Sequence, residues 1–152
     1  ALTMESLLQT LFICCFIGAT LARTETEIKK WFIQQAVECS KEHPVTGEEL
    51  QQMKTKHKIP DSMSAKCLVA CIFKRIEWID EKGMYVKEKA YKTSEKDYMN
   101  DQVKLDKAKE LYEFCNKVNS ETVSDGEKGC ERSNLLAICL TENAAQYGFV
   151  LQ

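Results

Sequence analysis

Apolar positions recur along this chain at helical spacing. Between Ser62 and Ile79, Leu68, Ile72, Ile76 and Ile79 form one stripe and Val69 and Phe73 the next, while Lys66, Lys74 and Glu77 crowd a narrower polar side. A helix that is apolar over more than half its circumference is covered on several sides. This segment, about five turns long, is therefore predicted to be central. Upstream, Ile28, Trp31, Phe32, Ala36 and Cys39 share one face of a helix predicted over 25–41. His43-Pro44 ends it, because the residue before proline is pushed out of the α region. Thr46-Gly47-Glu48-Glu49 has the form of a capping box and opens a short helix through about Lys54. Asp61 or Ser62 then caps the central helix.

Downstream, Asp80-Glu81-Lys82-Gly83 is a turn signal. Residues 85–98 are rich in lysine and weakly patterned, which predicts a short helix and an exposed connection. The pattern returns over 101–118, where Leu105, Ala108, Leu111, Tyr112, Cys115 and Val118 lie on one face. Ser124 and Glu127 have the spacing of a helix cap, and the last helix carries Cys130, Leu135, Leu136, Ile138, Cys139 and Leu140. The tail 147–152 is too apolar for a comfortable solvated end. Two prolines and six glycines leave little to interrupt helices. The expected fold is one all-α domain of about six helices.

The N-terminal stretch changes the cysteine arithmetic. Leu7 to Ala19 is apolar but shorter than the ~18–20 residues a membrane span requires. Thr20-Leu21-Ala22 follows with small residues where a signal peptidase cuts. Residues 1–22 are therefore expected to be a secretory signal cleaved after Ala22, with Met4 as initiator and residues 1–3 upstream of it, leaving a domain over 23–152. Cys14 and Cys15 leave with the leader. Cys39, Cys67, Cys71, Cys115, Cys130 and Cys139 remain, most simply as three disulfides in an oxidising compartment.

Two pairings are excluded if the helices are right. Cysteines four apart on a helix hold their Cβ atoms roughly 5–6 Å apart, beyond the roughly 3.5–4.5 Å of a disulfide, so Cys67 and Cys71 reach different parts of the chain. Cys130 and Cys139 would stand about 13 Å apart along one helix. Several of the remaining connectivities stay open. Charge adds one exclusion: 21 basic and 23 acidic side chains, net −2, give no electrostatic argument for nucleic acid or an anionic membrane as partner.

Counted between successive cysteines, the intervals are 27, 3, 43, 14 and 8 residues. The 3 and the 8, in helical context and with Pro60 seven residues before Cys67, resemble the six-cysteine insect odorant-binding proteins, which include the pheromone-binding and general odorant-binding proteins. The resemblance covers essentially all of 23–152. It implies the interlocked pairs Cys39–Cys71, Cys67–Cys130 and Cys115–Cys139 around an apolar cavity. Two features depart from the commoner pattern. The 43-residue interval is long, so 85–98 reads as extra surface, and Trp78 stands where a small residue is frequent.

The resemblance also implies a function: a carrier of small hydrophobic odorants or pheromone-like molecules in sensillum lymph or haemolymph, with an olfactory receptor membrane protein as a further partner. The protein would be a monomer or weak homodimer, with no cofactor, metal or nucleic acid. Three disulfides can hold helices apart around a void that packing alone would penalise, at about 24 cal/mol per Å3. Candidate ligand contacts are Phe32, Val69, Phe73, Tyr112, Leu136 and Leu140. Arg132 is a candidate donor at the pocket mouth, and Phe149 is part of a tail that covers the cavity. Each has an ordinary alternative as core packing, surface charge or frayed end. Only His43 and His57 would titrate near neutrality in a pH-triggered release. A hydrolase, the rival of a different class, finds no recognisable nucleophile–base or metal motif to support it, and no enzymatic activity is expected. A non-sensory carrier and a pocketless secreted interaction protein remain as rivals.

Overall fold

The computed structural model describes residues 22–150; the expected leader, apart from Ala22, and the last two residues of the tail fall outside the described residues. Among these, six α-helices and three short 3-10 turns run in order: α1 Glu25–Cys39, α2 Gly47–Lys56, α3 Met63–Arg75, α4 Lys87–Asp97, α5 Gln102–Cys115 and α6 Cys130–Asn143, with 3-10 turns at Asn116–Ser120, Gly126–Lys128 and Ala144–Tyr147. Among the described residues, β pairing is limited to one isolated antiparallel bridge between Ile79 and Tyr85. Thr24 and Thr46 each close a capping box, with Glu27 and Glu49 respectively, so the first two helices start where the sequence places them.

Central helix α3 packs most extensively on α6 and next on α1, and α4 pairs with α5. Leu68, Val69, Ala70 and Phe73 are buried along α3. The three disulfides are Cys39–Cys71, Cys67–Cys130 and Cys115–Cys139, with Cα separations of 5.8, 4.4 and 5.8 Å. They are the pairs the resemblance implied. α3 is thus bonded to α1 through one cysteine and to α6 through the other, one helical turn away.

Three expectations are corrected. The central helix stops at Arg75 rather than Ile79, because Glu77 takes a left-handed conformation (φ +63°). The N–H of Trp78 then donates to the Phe73 carbonyl (2.8 Å) and that of Glu77 to the Lys74 carbonyl (3.0 Å), the pattern of a Schellman stop. The hydrophobic contact that usually accompanies it is the stacking of Trp78 on Phe73, with ring centroids 5.6 Å apart. Residues 85–98 contain the expected short helix, α4, but it is not exposed surface: its Ala90, Ser94 and Asp97 are buried at helical spacing, small enough to bring α4 close to α5. The last helix begins at Cys130, not after Ser124. Asp125 accepts from the N–H groups of Cys130 (2.6 Å) and Glu131 (3.1 Å), while Ser124 donates to the Glu131 carboxylate.

The turn after Ile79 and the loop before α6 meet backbone to backbone. Gly83 (φ +74°) and Gly129 (φ +70°) lie against each other, and a Cβ on Gly83 would stand 2.6 Å from the Gly126 carbonyl oxygen. Across the molecule, the Arg23 guanidinium donates to Asp97 (2.6 Å) and lies 4.7 Å above the Trp31 ring. That pair ties the start of α1 to the end of α4. Burial pushes the Asp97 carboxyl above its ordinary pKa, and Arg23 pulls it only part of the way back.

Gly83→Ala combines a left-handed backbone with a clash against backbone, so it is expected to destabilise the fold by about 2 kcal/mol or more in urea unfolding. Asp97, its pKa raised on folding, binds protons more readily folded than unfolded. Its contribution is therefore fully present below the ordinary carboxylate pKa and is lost as pH rises through the folded value. The stability of the wild type relative to Asp97→Asn is expected to improve as pH falls from 7 towards 4. A change of the opposite sign would mean that Arg23 outweighs burial.

Candidate functional site

Five aromatic rings pack through the centre of the helical shell. Trp31 meets Phe32 at 4.9 Å, Phe32 meets Trp78 at 6.0 Å, and Trp78 stacks on Phe73 and meets Tyr112 edge-on at 5.5 Å. Trp78 is fixed from two directions. The Schellman stop aims its ring inward, and its indole N–H donates to the Thr93 hydroxyl on α4 (3.2 Å). The middle of the protein is therefore filled by side chains, and the apolar space lies to one side of Trp78.

That space is a pocket of about 190 Å3 lined by Trp78, Tyr98, Leu111, Tyr112, Leu140, Thr141, Ala144 and Phe149. Leu111 and Tyr112 come from α5. Leu140 and Ala144, four residues apart, present one face of α6 and the turn that follows. Tyr98 caps the C-terminal end of α4. The last wall is the tail. Gly148 (φ +82°) reverses the chain, the Phe149 N–H donates to the Ala144 carbonyl (2.9 Å), and the Phe149 ring sits 6.0 Å from that of Tyr98. The pocket's volume is comparable to that of an apolar cavity of about 150 Å3, which accepts a molecule the size of benzene.

Two phenols supply the main polarity of the lining. The Tyr112 hydroxyl shares a hydrogen bond with that of Ser94 (2.7 Å). Burial pushes its pKa up to about 12, with Ser94 pulling the other way. Burial likewise raises Tyr98. Both are neutral at physiological pH and can donate to, or accept from, an uncharged ligand. Other surface depressions are lined by charge. One between α4 and α5, about 350 Å3, is walled by Lys87, Glu88, Lys92, Glu95, Lys109 and Glu113 together with Tyr91 and Tyr112. An apolar ligand there would displace water from ionised groups.

Of the residues expected at the site, Tyr112, Leu140 and Phe149 line the pocket. Phe32 and Phe73 stand behind Trp78, in ring contact with it rather than with the space. Val69 and Leu136 are buried in the core cluster and are not among the lining residues. Arg132 is not at a pocket mouth. It is buried, and its guanidinium donates to the backbone carbonyls of Val118 and Glu121 (3.2 Å to the latter), tying α6 to the turn after α5. His43 and His57 lie away from the pocket lining. Sequence reasoning missed Trp78, Tyr98, Leu111, Thr141 and Ala144. Leu111 and Ala144 carried a legible signal, as the neighbours of Tyr112 and Leu140 on their helix faces. Trp78 did not, because its direction follows from a left-handed glutamate.

Comparison with known proteins agrees with this architecture. The family model for the PBP/GOBP family matches residues 21–143. General odorant-binding protein 19d of Drosophila melanogaster is 29% identical over 137 residues, 90% of this chain and 87% of that protein. General odorant-binding protein 28a of the same species is 28% identical over 149 residues, 97% of this chain and 100% of its own length. The solved structure of the Drosophila melanogaster odorant-binding protein dmelOBP28a superposes with a TM-score of 0.64 at 28% identity, covering 84% of this chain and 100% of that one. Apis mellifera odorant binding protein 5, at 16% identity and a TM-score of 0.62 over 86% of this chain and all of that one, shares the fold. With the family match spanning most of the sequence and the interlocked disulfides in place, the chain belongs to the PBP/GOBP family, the insect pheromone-binding and general odorant-binding proteins.

Proposed function

We propose that this protein is a secreted carrier that holds a small, largely apolar molecule in the pocket beside Trp78 and moves it through aqueous lymph. The observation that carries the reading is the lining itself. Trp78, Leu111, Leu140, Ala144 and Phe149 bring apolar surface to one space, with the phenols of Tyr98 and Tyr112 as its principal polar groups. Burying apolar ligand surface there releases about 25 cal/mol per Å2, while a neutral hydroxyl fixes orientation without the cost of burying a charge. Odorants and pheromone-like molecules, volatile or semi-volatile and sparingly soluble, have that chemistry. Residues 1–22 act as the export signal in this reading and 23–152 as the circulating domain, acting as a monomer or weak homodimer. Delivery to an olfactory receptor in a sensory membrane is the step that follows release.

The tail is the closing element. Phe149 is held on Tyr98 by a ring contact, and an aromatic pair of this kind is worth about 0.5–1.5 kcal/mol. Breaking it frees one wall of the pocket without disturbing a disulfide.

Saturable binding of a fluorescent apolar probe, displaced by alcohols, esters or aldehydes, is the direct test of the carrier reading. Thr141→Phe, which projects a ring into the pocket, is expected to weaken probe binding at least about tenfold while leaving the unfolding midpoint within a few degrees. Non-saturable uptake would mean a protein with no ligand site, and equal binding by this variant would place the site elsewhere than beside Trp78. Removing residues 148–152 is expected to speed ligand release roughly 2- to 12-fold. Unchanged release kinetics would discard the lid.

A further inference from the structure

Two of the three disulfides open onto one surface depression. Cys67, Cys71 and Cys130 line it together with Lys74, Arg75 and Lys128, and Glu42 is the carboxylate among its walls. Cys115 and Cys139 take no part in that lining and are buried, at 0% and 7% exposure. The fold places the cations. Lys74 follows Cys71 by three residues and Cys67 by seven, so all three share one face of α3. Its ammonium donates to the Glu127 carbonyl (2.8 Å), which holds the charge over the loop before α6. Lys128 stands exposed in that loop, two residues ahead of Cys130.

The three bonds differ in where a departing thiolate would sit. Cys39 is the last residue of α1 and Cys115 the last of α5, whereas Cys130 is the first of α6. The negative end of the helix dipole opposes a thiolate at the first two positions, and the positive end favours one at Cys130. The Asp125 carboxylate, bonded to the Cys130 N–H (2.6 Å), works against it, and Lys74 and Lys128 set two cations on the other side. Exposure selects the sulfur that is open to attack. Cys67 is partly exposed, while Cys130 is 4% exposed.

We propose that Cys67 is a thiol-exchange site that takes a small anionic thiol of the glutathione class as a mixed disulfide. The incoming thiolate attacks Cys67 Sγ and forms a new S–S bond. The Cys67–Cys130 bond breaks, and its electron pair leaves on Cys130 Sγ as a thiolate. The thiol is the only co-reactant. Return attack by Cys130 on the mixed disulfide expels it and restores the original bond. The excess of positive charge around the depression draws an anionic thiolate in. Cys39–Cys71 shares the depression but reacts more slowly, because the thiolate it would release is Cys39, 1% exposed at the end of α1 between Glu38 and Glu42 in the chain. None of this depends on the carrier reading.

The test treats the folded, fully oxidised protein with excess reduced glutathione at neutral pH, quenches with iodoacetamide at intervals and maps the products by peptide mass. A glutathione adduct on Cys67 and an alkylated Cys130 are expected first, at least about tenfold faster than any opening of Cys115–Cys139. Lys128→Glu changes an exposed residue and is expected to keep the unfolding midpoint. It should lower the ratio of the exchange rate with glutathione to that with cysteamine, a cationic thiol, roughly 2- to 5-fold. Taking the ratio cancels any effect of the substitution on the leaving group. A first adduct on Cys71 or Cys130, or three bonds opening together at the rate of global unfolding, would overturn the site. An unchanged ratio would overturn its preference for an anionic thiol.

Discussion

The two cysteines of α3 impose the constraint on which the rest of the molecule depends. Cys67 and Cys71 lie one turn apart on the same helix face, too far from each other to bond, so each fastens α3 to a different neighbour. Cys71 holds the end of α1 and Cys67 the start of α6, while Cys115–Cys139 joins α5 to α6. With sequence separations of 32, 63 and 24 residues, each cross-link removes about 3–4 kcal/mol of chain entropy from the unfolded state in the simplest model. The loops interlock, so these contributions do not simply add.

That arrangement divides the protein into a stapled part and a part held by weaker contacts. α4 and the tail carry no cysteine. α4 is held by the close packing of Ala90 and Ser94, by the Trp78–Thr93 and Tyr112–Ser94 hydrogen bonds, and by the Arg23–Asp97 ion pair at its end. The apolar pocket lies where the two parts meet. Leu111, Tyr112, Leu140 and Thr141 come from cross-linked helices, and Tyr98 and Phe149 from elements that carry no cysteine.

Most of the architecture was legible from the sequence because long amphipathic stripes and capping boxes act locally. α1, α2 and α5 follow directly from them. What was not legible depended on residues whose behaviour is set by distant partners. Nothing in Glu77 announces a left-handed helix stop, since glycine is the usual signal; the stop holds because Trp78 gains a stacking partner in Phe73 and a hydrogen bond to Thr93. α4 buries alanine, serine and aspartate, which carry no apolar stripe, and so read as surface. The start of α6 is met by Asp125 rather than Ser124, because its carboxylate accepts from two helix N–H groups at once. The same reasons explain the site. Tyr112, Leu140 and Phe149, which the sequence offers as candidates, line the pocket, whereas Phe32 and Phe73 lie behind Trp78.

The account thus turns on Trp78 facing the ligand while Trp31, the other tryptophan, does not. Titration of two single-tryptophan variants with 6-bromo-1-hexanol, whose bromine quenches an indole on contact, tests this directly. Trp31→Phe, which keeps Trp78, is expected to lose most of its emission along a saturable curve. Trp78→Phe, which keeps Trp31, is expected to change little. Equal quenching in both variants, or none in the first, would contradict the account.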